Sequence, residues 1–342
     1  MLTAALVGLP LSGKTTFFEV LTARAARSGK DLGRAVVPVA DRRLSVLSDV
    51  FHPRKVTAAQ IAFVDVPGLA EGGQGEGRRF LADIREADAL VQVIGAFPGG
   101  PGDSPDDAAE SLALELALAD LEAVEKRLER LARGKLKPGE DVERSVLESI
   151  RPHLEAGGPV RTSGVSPDEL AALRSLGLLT EKPLVYVLNV GDDGTPPCDP
   201  EEFAGRHQGA VIVASAAMER EIADLDAAER ADFLSSLGFA EPGVDRLTRA
   251  CYAHLGLISF LTAGEDEVRA WTIRQGTPAR EAAGKIHTDI ERGFIRAEVV
   301  AYDDFVNDGA SMAGAKEKGH WRLEGKDYIV ADGDIINFRF NA

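Results

Sequence analysis

The stretch ALVGLPLSGKTTFFEVLT, residues 5–22, decides the fold of this chain. Within it, GLPLSGKT (residues 8–15) fits the phosphate-loop pattern G-x-x-x-x-G-K-[ST]. The fixed positions of the pattern are Gly8, Gly13, Lys14 and Thr15. An apolar run, residues 2–7, precedes the loop, and apolar residues at helical spacing follow it. This order of strand, glycine loop and helix favours phosphate binding, because loop amides and the positive end of the helix dipole face the phosphates.

A second motif lies about fifty residues further on, in IAFVDVPGL (residues 61–69). A β-type run ends there in a D-x-x-G element that contains Asp65 and Gly68. We expect Lys14 to stabilise the β- and γ-phosphates, Thr15 and Asp65 to hold Mg²⁺, and the Gly68 amide to contact the γ-phosphate. Lys14, Asp65 and Gly68 are therefore the predicted catalytic residues. The other predicted phosphate contacts come from the loop, at Gly8, Leu11, Ser12, Gly13, Thr15 and Thr16.

Two later motifs predict the base-binding side of the same site. KPLVYVLNVGDDG ends a strand-like run in an N-x-x-D element, and AVIVASAA ends another in S-A-A. The residues predicted to frame the base are Asn189, Val190, Asp192, Ser215 and Ala216. Together with ALVQVIGAF (residues 89–97), these make five β-runs separated by helices. They predict a parallel sheet, whose binding residues gather at the carboxyl ends of its strands. The order of the motifs is that of translation-factor-like GTPases rather than of small-molecule kinases.

Composition limits the class of protein. The chain has 342 residues, a net charge of −16 and two cysteines, which are too few for a disulfide framework. No apolar stretch reaches the roughly 18–20 residues that cross a bilayer, so we expect no membrane span, and the lack of a disulfide framework favours a reducing cytoplasm. The acidic balance argues against broad, charge-driven nucleic-acid binding, although it leaves room for a small local patch.

Apolar spacing predicts a helical hairpin in the middle of the chain. Between Ala113 and Leu131, apolar residues recur every three or four positions, as on one face of a helix. The predicted stripe consists of Leu114, Ala117, Leu121, Val124, Leu128 and Leu131. A second helix is predicted from about Glu140 to Leu154, with Pro152 bending or ending it. We expect the stripe to close an intramolecular hairpin rather than a dimer.

The C-terminal region predicts a small mixed domain. A helix is expected from Thr277 to near Gly293, followed by the strand FIRAEVV. YIVADGDIINFRF is predicted to form a β-hairpin around Asp332 and Gly333. A local basic cluster consists of Lys316, Lys318, His320, Arg322 and Lys326. An RNA contact and an ordinary solvated loop are equally open for this cluster.

These motifs resemble the YchF family of Obg-related P-loop proteins, also called Obg-like ATPases. The resemblance rests on ALVGLPLSGKTTFFEVLT, FVDVPGL, GEGRRFLADIREADALVQV, ELALADLEAVEKRL, EPGVDRLTRACY and most of the last hundred residues. It implies an α/β P-loop NTPase domain with a parallel sheet at 1–105 and 182–257. It also implies an inserted helical domain at 106–181 and a C-terminal β-grasp (TGS) domain at 258–342.

The same resemblance implies a slow, Mg²⁺-dependent ATPase or GTPase. It also implies a monomeric cytoplasmic switch that contacts the ribosome or RNA through its TGS-like and helical domains. The choice of base is open, because Asp192 suits guanine, whereas Val190, in place of the lysine of N-K-x-D, and the resemblance favour ATP. We expect ATP.

Two departures from the family pattern keep a second hypothesis open. The segment that supplies a switch threonine in the family looks deleted, since no Ser or Thr occurs between Gly29 and Leu44. The glycine-rich loop after Gly68 is shorter than in the family. Leu69 stands where Ras-like enzymes place a water-orienting glutamine, but the family shares this substitution, so it does not by itself rule out hydrolysis. The alternative is therefore a nucleotide-binding adaptor that does not hydrolyse its ligand; a vestigial phosphate loop is the least favoured reading.

Overall fold

A computed structural model of the chain describes residues 2–24, 33–66, 74–102, 104–134, 136–236 and 239–341. The chain divides into two compact units. The first unit contains Met1–Val37 and Ala62–Cys251, and the second contains Pro38–Ile61 and Tyr252–Ala342. Elements are numbered along the chain, so α2 and β3 belong to the second unit.

The first unit is built on a six-stranded sheet. Its strands are β1 (Thr3–Val7), β2 (Arg34–Pro38), β4 (Gln60–Asp65), β5 (Ala89–Gly95), β6 (Leu184–Asn189) and β7 (Ala210–Ala214). Their order across the sheet is β2-β4-β1-β5-β6-β7, and every neighbouring pair from β4 to β7 is parallel. Five of these strands coincide with the predicted β-runs, whereas β2 was not predicted.

Helices cover this sheet, whose central strands are apolar and buried. They are α1 (Lys14–Arg24), α3 (Gln74–Glu86), α7 (Pro200–His207), α8 (Ala216–Asp224), α9 (Ala227–Ser236) and α10 (Gly243–His254). All six residues of β6 are buried, and β5 is buried up to Ile94. Strands that are buried on both faces read as continuous apolar runs, which is why these two are visible in the sequence.

The helical hairpin consists of α4 (Pro105–Ala132) and α5 (Glu140–Glu155). Most of the predicted stripe packs in or against its core, at Ala117, Leu121, Val124, Leu128 and Leu131. The predicted stripe is wrong at Leu114. Half of the surface of Leu114 is exposed, whereas Leu112 and Leu116 are buried. The first turns of α4 pack against the sheet core instead, so the apolar face shifts along the helix.

Short elements close the helical region. They are the 3₁₀ helices at Val160–Thr162 and Ala171–Leu176 and the helix α6 (Pro167–Leu170). Ser166 and Glu169 form a capping box at the start of α6. Pro152 does not end α5, which continues to Glu155. The fully buried carboxylate of Asp120 on α4 accepts hydrogen bonds from the amides of Leu179 and Thr180, both at 2.8 Å, which ties the hairpin to the loop before β6.

The second unit contains a six-stranded mixed sheet. Its strands are β3 (Lys55–Thr57), β8 (Leu257–Ala263), β9 (Glu267–Arg274), β10 (Phe294–Ala301), β11 (Arg322–Glu324) and β12 (Asp334–Phe340). Its helices are α2 (Arg42–Phe51), α11 (Ala279–Ile286), α12 (Thr288–Arg292), α13 (Tyr302–Asn307) and α14 (Met312–Glu317). The strand order is β11-β10-β12-β8-β9-β3, and the core lies between the sheet and α11.

Two C-terminal expectations need correction. The predicted single helix up to Gly293 is two helices, α11 and α12, which are separated at His287. The predicted hairpin around Asp332 is not formed, because β12 pairs with β10 and β8 instead. The residues before Asp332 are held elsewhere, since Ile329 bridges to Pro278 and the Val330 amide donates to the Thr277 carbonyl at 3.1 Å.

The predicted fold class is confirmed: an α/β P-loop domain with a parallel sheet, a helical region and a C-terminal sheet domain. The predicted domain limits stay a prediction, and the structure adds that Pro38–Ile61 groups with the C-terminal residues. Among the helices that the structure describes, none combines the length and apolarity needed to cross a bilayer.

Candidate functional site

The phosphate loop joins β1 to α1 and lines a cleft of about 730 Å³ with Asp65. Both glycines of the loop are needed because a side chain would not fit at either position. A Cβ on Gly8 would lie 2.4 Å from the Val93 carbonyl oxygen, and one on Gly13 would lie 2.1 Å from the Asn189 amide nitrogen. Gly13 also has a φ of 89°, which favours glycine. The backbone therefore approaches the sheet closely and leaves a cradle in front of α1, as phosphate oxygens require.

Lys14 and Asp65 meet in this cleft. The Lys14 ammonium, largely buried, donates a hydrogen bond to the Asp65 carboxylate. The Asp65 amide donates to the Gly33 carbonyl at 3.0 Å, which holds the end of β4 next to the residue that precedes β2. The two predicted residues thus form an ion pair across the cleft. The Asp65 carboxylate pairs with the Lys14 ammonium, which is the group that a phosphate would bind.

Asn189 connects the phosphate loop to the base-side loop. Its side-chain amide donates to the Ser12 carbonyl at 2.8 Å, and its side-chain oxygen accepts from the Ala216 amide at 2.8 Å. Asn189 is buried, so these bonds are shielded from water. The structure therefore brings Ser12, Asn189 and Ala216 together, and Asn189 holds the two loops next to each other.

The base side of the site combines buried and exposed residues. Val190 is buried, and its amide donates to the Ala214 carbonyl at 3.0 Å. Ser215 is buried and caps α8 by accepting a hydrogen bond from the Met218 amide. Asp192 is exposed at the end of β6. Its carboxylate is free to turn towards a ligand, as reading a base edge requires.

Metal binding at the cleft would rest on few protein ligands. Thr15 is exposed and lines the cleft with Thr16 and Asp65. Among the described residues, no three His, Cys, Asp or Glu side chains cluster as a metal site. This donor set fits Mg²⁺, which usually keeps several waters and takes its other ligands from one or two protein oxygens and substrate phosphates.

One predicted residue could not be compared with the structure, and two were missed. Gly68 lies outside the described residues. Phe239 and Arg246 line a small cavity of about 20 Å³ beside Val190 and Ser215, and the Arg246 guanidinium lies 5.4 Å from the centre of the Phe239 ring. The only available signal was EPGVDR, residues 241–246, which entered through the resemblance alone.

Leu11 has a conformation that the motif does not reveal. Its φ is 65°, in the left-handed region, and 88 % of its surface is exposed. A bulky residue with this backbone is a genuine outlier. Such strain tends to cluster at ligand sites, where the surrounding structure overdetermines it.

The second unit contains a larger cavity, of about 840 Å³, but none of the predicted site residues lines it. A nearby carboxylate, that of Asp308, partly neutralises the charge of the predicted basic cluster. Lys318 and His320 both bind Asp308, at 3.2 and 2.7 Å. The hydrogen bond to Asp308 raises the pKa of His320 above its ordinary value and lowers that of Asp308. The phosphate cleft is the better candidate for the functional site although it is smaller than the cavity in the second unit. Its loop, lysine and carboxylate suit a phosphate ligand.

Comparison with known proteins agrees with this geometry. A family model described as 50S ribosome-binding GTPase matches residues 3–131. A second model, YchF-GTPase_C, described as a protein of unknown function, matches residues 257–341.

Relatives match over the whole chain. The chain is 44 % identical to the ribosome-binding ATPase YchF of Haemophilus influenzae over 98 % of both proteins. It is 42 % identical to the Bacillus subtilis protein of the same name over 99 % of both. The solved structure of the Schizosaccharomyces pombe YchF GTPase has a TM-score of 0.87 and 29 % identity, and the match covers 99 % of this chain and 97 % of that one.

Proposed function

This chain belongs to the YchF family, and we propose that it is a Mg²⁺-dependent nucleotide-binding protein that hydrolyses ATP slowly and acts as a ribosome-associated switch. The observation that carries the proposal is the phosphate cleft. There Lys14 and Asp65 face one another in front of a loop whose glycines are required by space.

Each part of the cleft has a role in this proposal. Lys14 would release Asp65 and neutralise charge on the β- and γ-phosphates. Asp65, through water, and the Thr15 hydroxyl would then hold the metal, and bound Mg²⁺ would supply charge neutralisation at the phosphates. Amides from Leu11 to Thr16 and of Gly68 would bind phosphate oxygens. Asn189 would keep the two loops in register.

ATP is the proposed substrate, with GTP as the alternative. Guanine offers two donors to a carboxylate such as Asp192, whereas adenine offers no matching pair at that edge. Because Asp192 is exposed, its guanine contact would form in competition with water. Val190 provides no lysine stem to pack along a base. The names of the relatives from Haemophilus influenzae and Bacillus subtilis support ATP, and that of the Schizosaccharomyces pombe structure supports GTP.

A ribosome contact is proposed from the names of the relatives and of the family model. The TGS-like and helical domains are the proposed contact regions, and an RNA partner fits the basic residues near Lys316 less well than the sequence alone suggested. We also propose a monomer in the cytoplasm, as the resemblance to the family implies.

Titration of nucleotide-free protein with ATP and GTP, each with and without Mg²⁺, tests the proposal. ATP should bind more tightly, and Lys14→Ala should weaken it by roughly 10- to 100-fold, since a charged hydrogen bond contributes about 1.5–3 kcal/mol. Lys318→Ala is the matched control, because Lys318 is paired with Asp308 in the second unit. Equal binding by the Lys14→Ala variant and the wild type would refute the proposal.

The second candidate is an adaptor that binds nucleotide without hydrolysing it. It is favoured by the absence of Ser and Thr between Gly29 and Leu44, which removes a threonine that could complete a metal site. Single-turnover phosphate release separates the two candidates. A rate no faster than that of nucleotide in buffer would support the adaptor.

A further inference from the structure

Residues Pro38–Ile61, here called the linking segment, leave the nucleotide sheet after β2 and return to it in β4. At the base of the segment, the Val39 amide donates to the Ala59 carbonyl at 2.8 Å. β4 then continues without a break to Asp65, the partner of Lys14. The segment is therefore covalently continuous with the residue that must change partner when phosphates and a metal bind.

The same segment is part of the C-terminal sheet. β3 pairs in parallel with β9, with Lys55 opposite Glu267 and Thr57 opposite Arg269. The Thr57 hydroxyl donates to the Glu267 carboxylate at 2.6 Å, and the Lys55 ammonium lies 3.2 Å from it. β3 has three residues and lies at the sheet edge. Such a short edge strand offers few main-chain hydrogen bonds to the sheet.

A second contact holds the segment through Arg43 on α2. The Arg43 guanidinium donates to the Asp332 carboxylate at 2.8 Å and to Asp41, which also caps α2. Burial alone would lower the pKa of Arg43, but its hydrogen bonds to Asp41 and Asp332 raise it above the ordinary value. At the end of α2, the Phe51 ring stacks on Phe305 with 6.0 Å between centres.

We propose that the linking segment couples nucleotide binding at the phosphate loop to the C-terminal sheet. The two states are a docked one, with β3 on β9 and Arg43 on Asp332, and a released one. Thr57 is eight residues before Asp65, so a displacement of β4 that follows the loss of the Lys14–Asp65 ion pair would reach β3 directly along the chain. The proposal rests on the proposed nucleotide binding.

The chain carries its own reporter for this coupling. Both of its tryptophans, Trp271 and Trp321, belong to the second unit. The guanidinium of Arg269, the residue opposite Thr57, lies 3.9 Å from the centre of the Trp271 ring. Trp271 also donates to the Thr262 hydroxyl at 3.0 Å. Loss of the β3 pairing would change the surroundings of Trp271.

The first experiment follows tryptophan emission of the full chain during titration with ATP or GTP and Mg²⁺, with binding measured in parallel by equilibrium dialysis. We expect a saturable change whose midpoint equals the dialysis Kd. Trp271→Phe should remove most of it, and Trp321→Phe should retain it. Binding without any change in emission would overturn the coupling, whereas absence of binding would contradict the proposed function instead.

The second experiment uses the reciprocity of coupled binding equilibria. Arg43→Gln removes the contact between Arg43 and Asp332, and both residues are far from the phosphate loop in the sequence. This substitution should change the nucleotide Kd at least about fivefold. Arg54→Gln is the matched control, because the ion pair of Arg54 with Asp266, at 3.6 Å, is almost fully exposed and contributes little, so its loss should leave the Kd unchanged. Thr57→Val provides a second variant should Arg43→Gln fail to fold. An unchanged Kd in a folded variant of either kind would overturn the proposal.

Discussion

The phosphate side and the base side of the candidate site are built differently. On the phosphate side, backbone groups, two glycines and the buried Asn189 amide hold one arrangement. On the base side, Asp192, the residue that we expect to read a guanine edge, is exposed. Phosphates are bound mainly by amides that every residue has, whereas a base edge is read by individual side chains. Substitutions should therefore damage stability and all nucleotide binding on one side, and nucleotide preference alone on the other.

The largest effect is expected for Gly13→Ala. The new Cβ would lie 2.1 Å from the Asn189 amide nitrogen, and the φ of 89° disfavours any side chain. We expect binding of both nucleotides to be lost and the free energy of unfolding to fall by about 1–3 kcal/mol. Calorimetric titration and denaturant unfolding measure the two effects.

Gly205→Ala is the matched control for Gly13→Ala. Gly205 lies inside α7, and a Cβ there meets nothing within 4 Å. This change should stabilise the protein by about 0.5–1 kcal/mol. Similar behaviour of the two variants would show that close approach at Gly13 is unimportant.

Asn189→Ala should weaken ATP and GTP equally. It leaves the Ser12 carbonyl and the Ala216 amide without the bonds that Asn189 makes, at about 1–3 kcal/mol for each unsatisfied group. The free energy of unfolding and both Kd values test this. Asn337→Ala serves as the control, since that exposed amide donates to Glu298 at 2.7 Å and should change stability by less than about 1 kcal/mol. A change in preference between ATP and GTP would contradict a purely positioning role.

Asp192→Ala should act on nucleotide preference only. Because Asp192 is exposed, stability should stay within about 0.5 kcal/mol of the wild type. GTP binding should weaken roughly tenfold or more, as for a lost charged hydrogen bond, and ATP binding should remain the same. Asp193→Ala is the neighbouring control, whose carboxylate accepts from the Thr195 amide at 3.2 Å. Equal weakening of ATP would mean that Asp192 contacts more than the guanine edge.

The smallest effect is expected for Leu11→Gly. The left-handed backbone of Leu11 costs about 1–2 kcal/mol, and glycine removes this while adding about 0.5–1 kcal/mol of unfolded-state entropy. A net gain in stability of about 0.5 kcal/mol follows, with nucleotide binding unchanged because the amide remains. Leu11→Ala retains the Cβ and should show no gain in denaturant unfolding; equal values for the two variants would argue against strain.

Local patterns predicted most of the first unit correctly. The strand before the phosphate loop, α1 with its buried Phe17 and Leu21, and four further strands were all visible in the sequence. The pairing of Lys14 with Asp65 and the bridge made by Asn189 were not, because each joins motifs far apart in the chain. The hairpin stripe failed at Leu114, where α4 passes from one core to another.

The sequence by itself determined the phosphate loop, the buried parallel strands and the family, because each depends on a short pattern of residue types with a physical meaning of its own. Only the tertiary structure decided where residues 34–61 belong. β2 joins one sheet and β3 the other, and Asp332 receives Arg43 rather than turning a hairpin. A strand of three residues is too short for its apolar pattern to identify its neighbour in the sheet. Its pairing is decided by residues that are distant in sequence and that it covers in the folded protein.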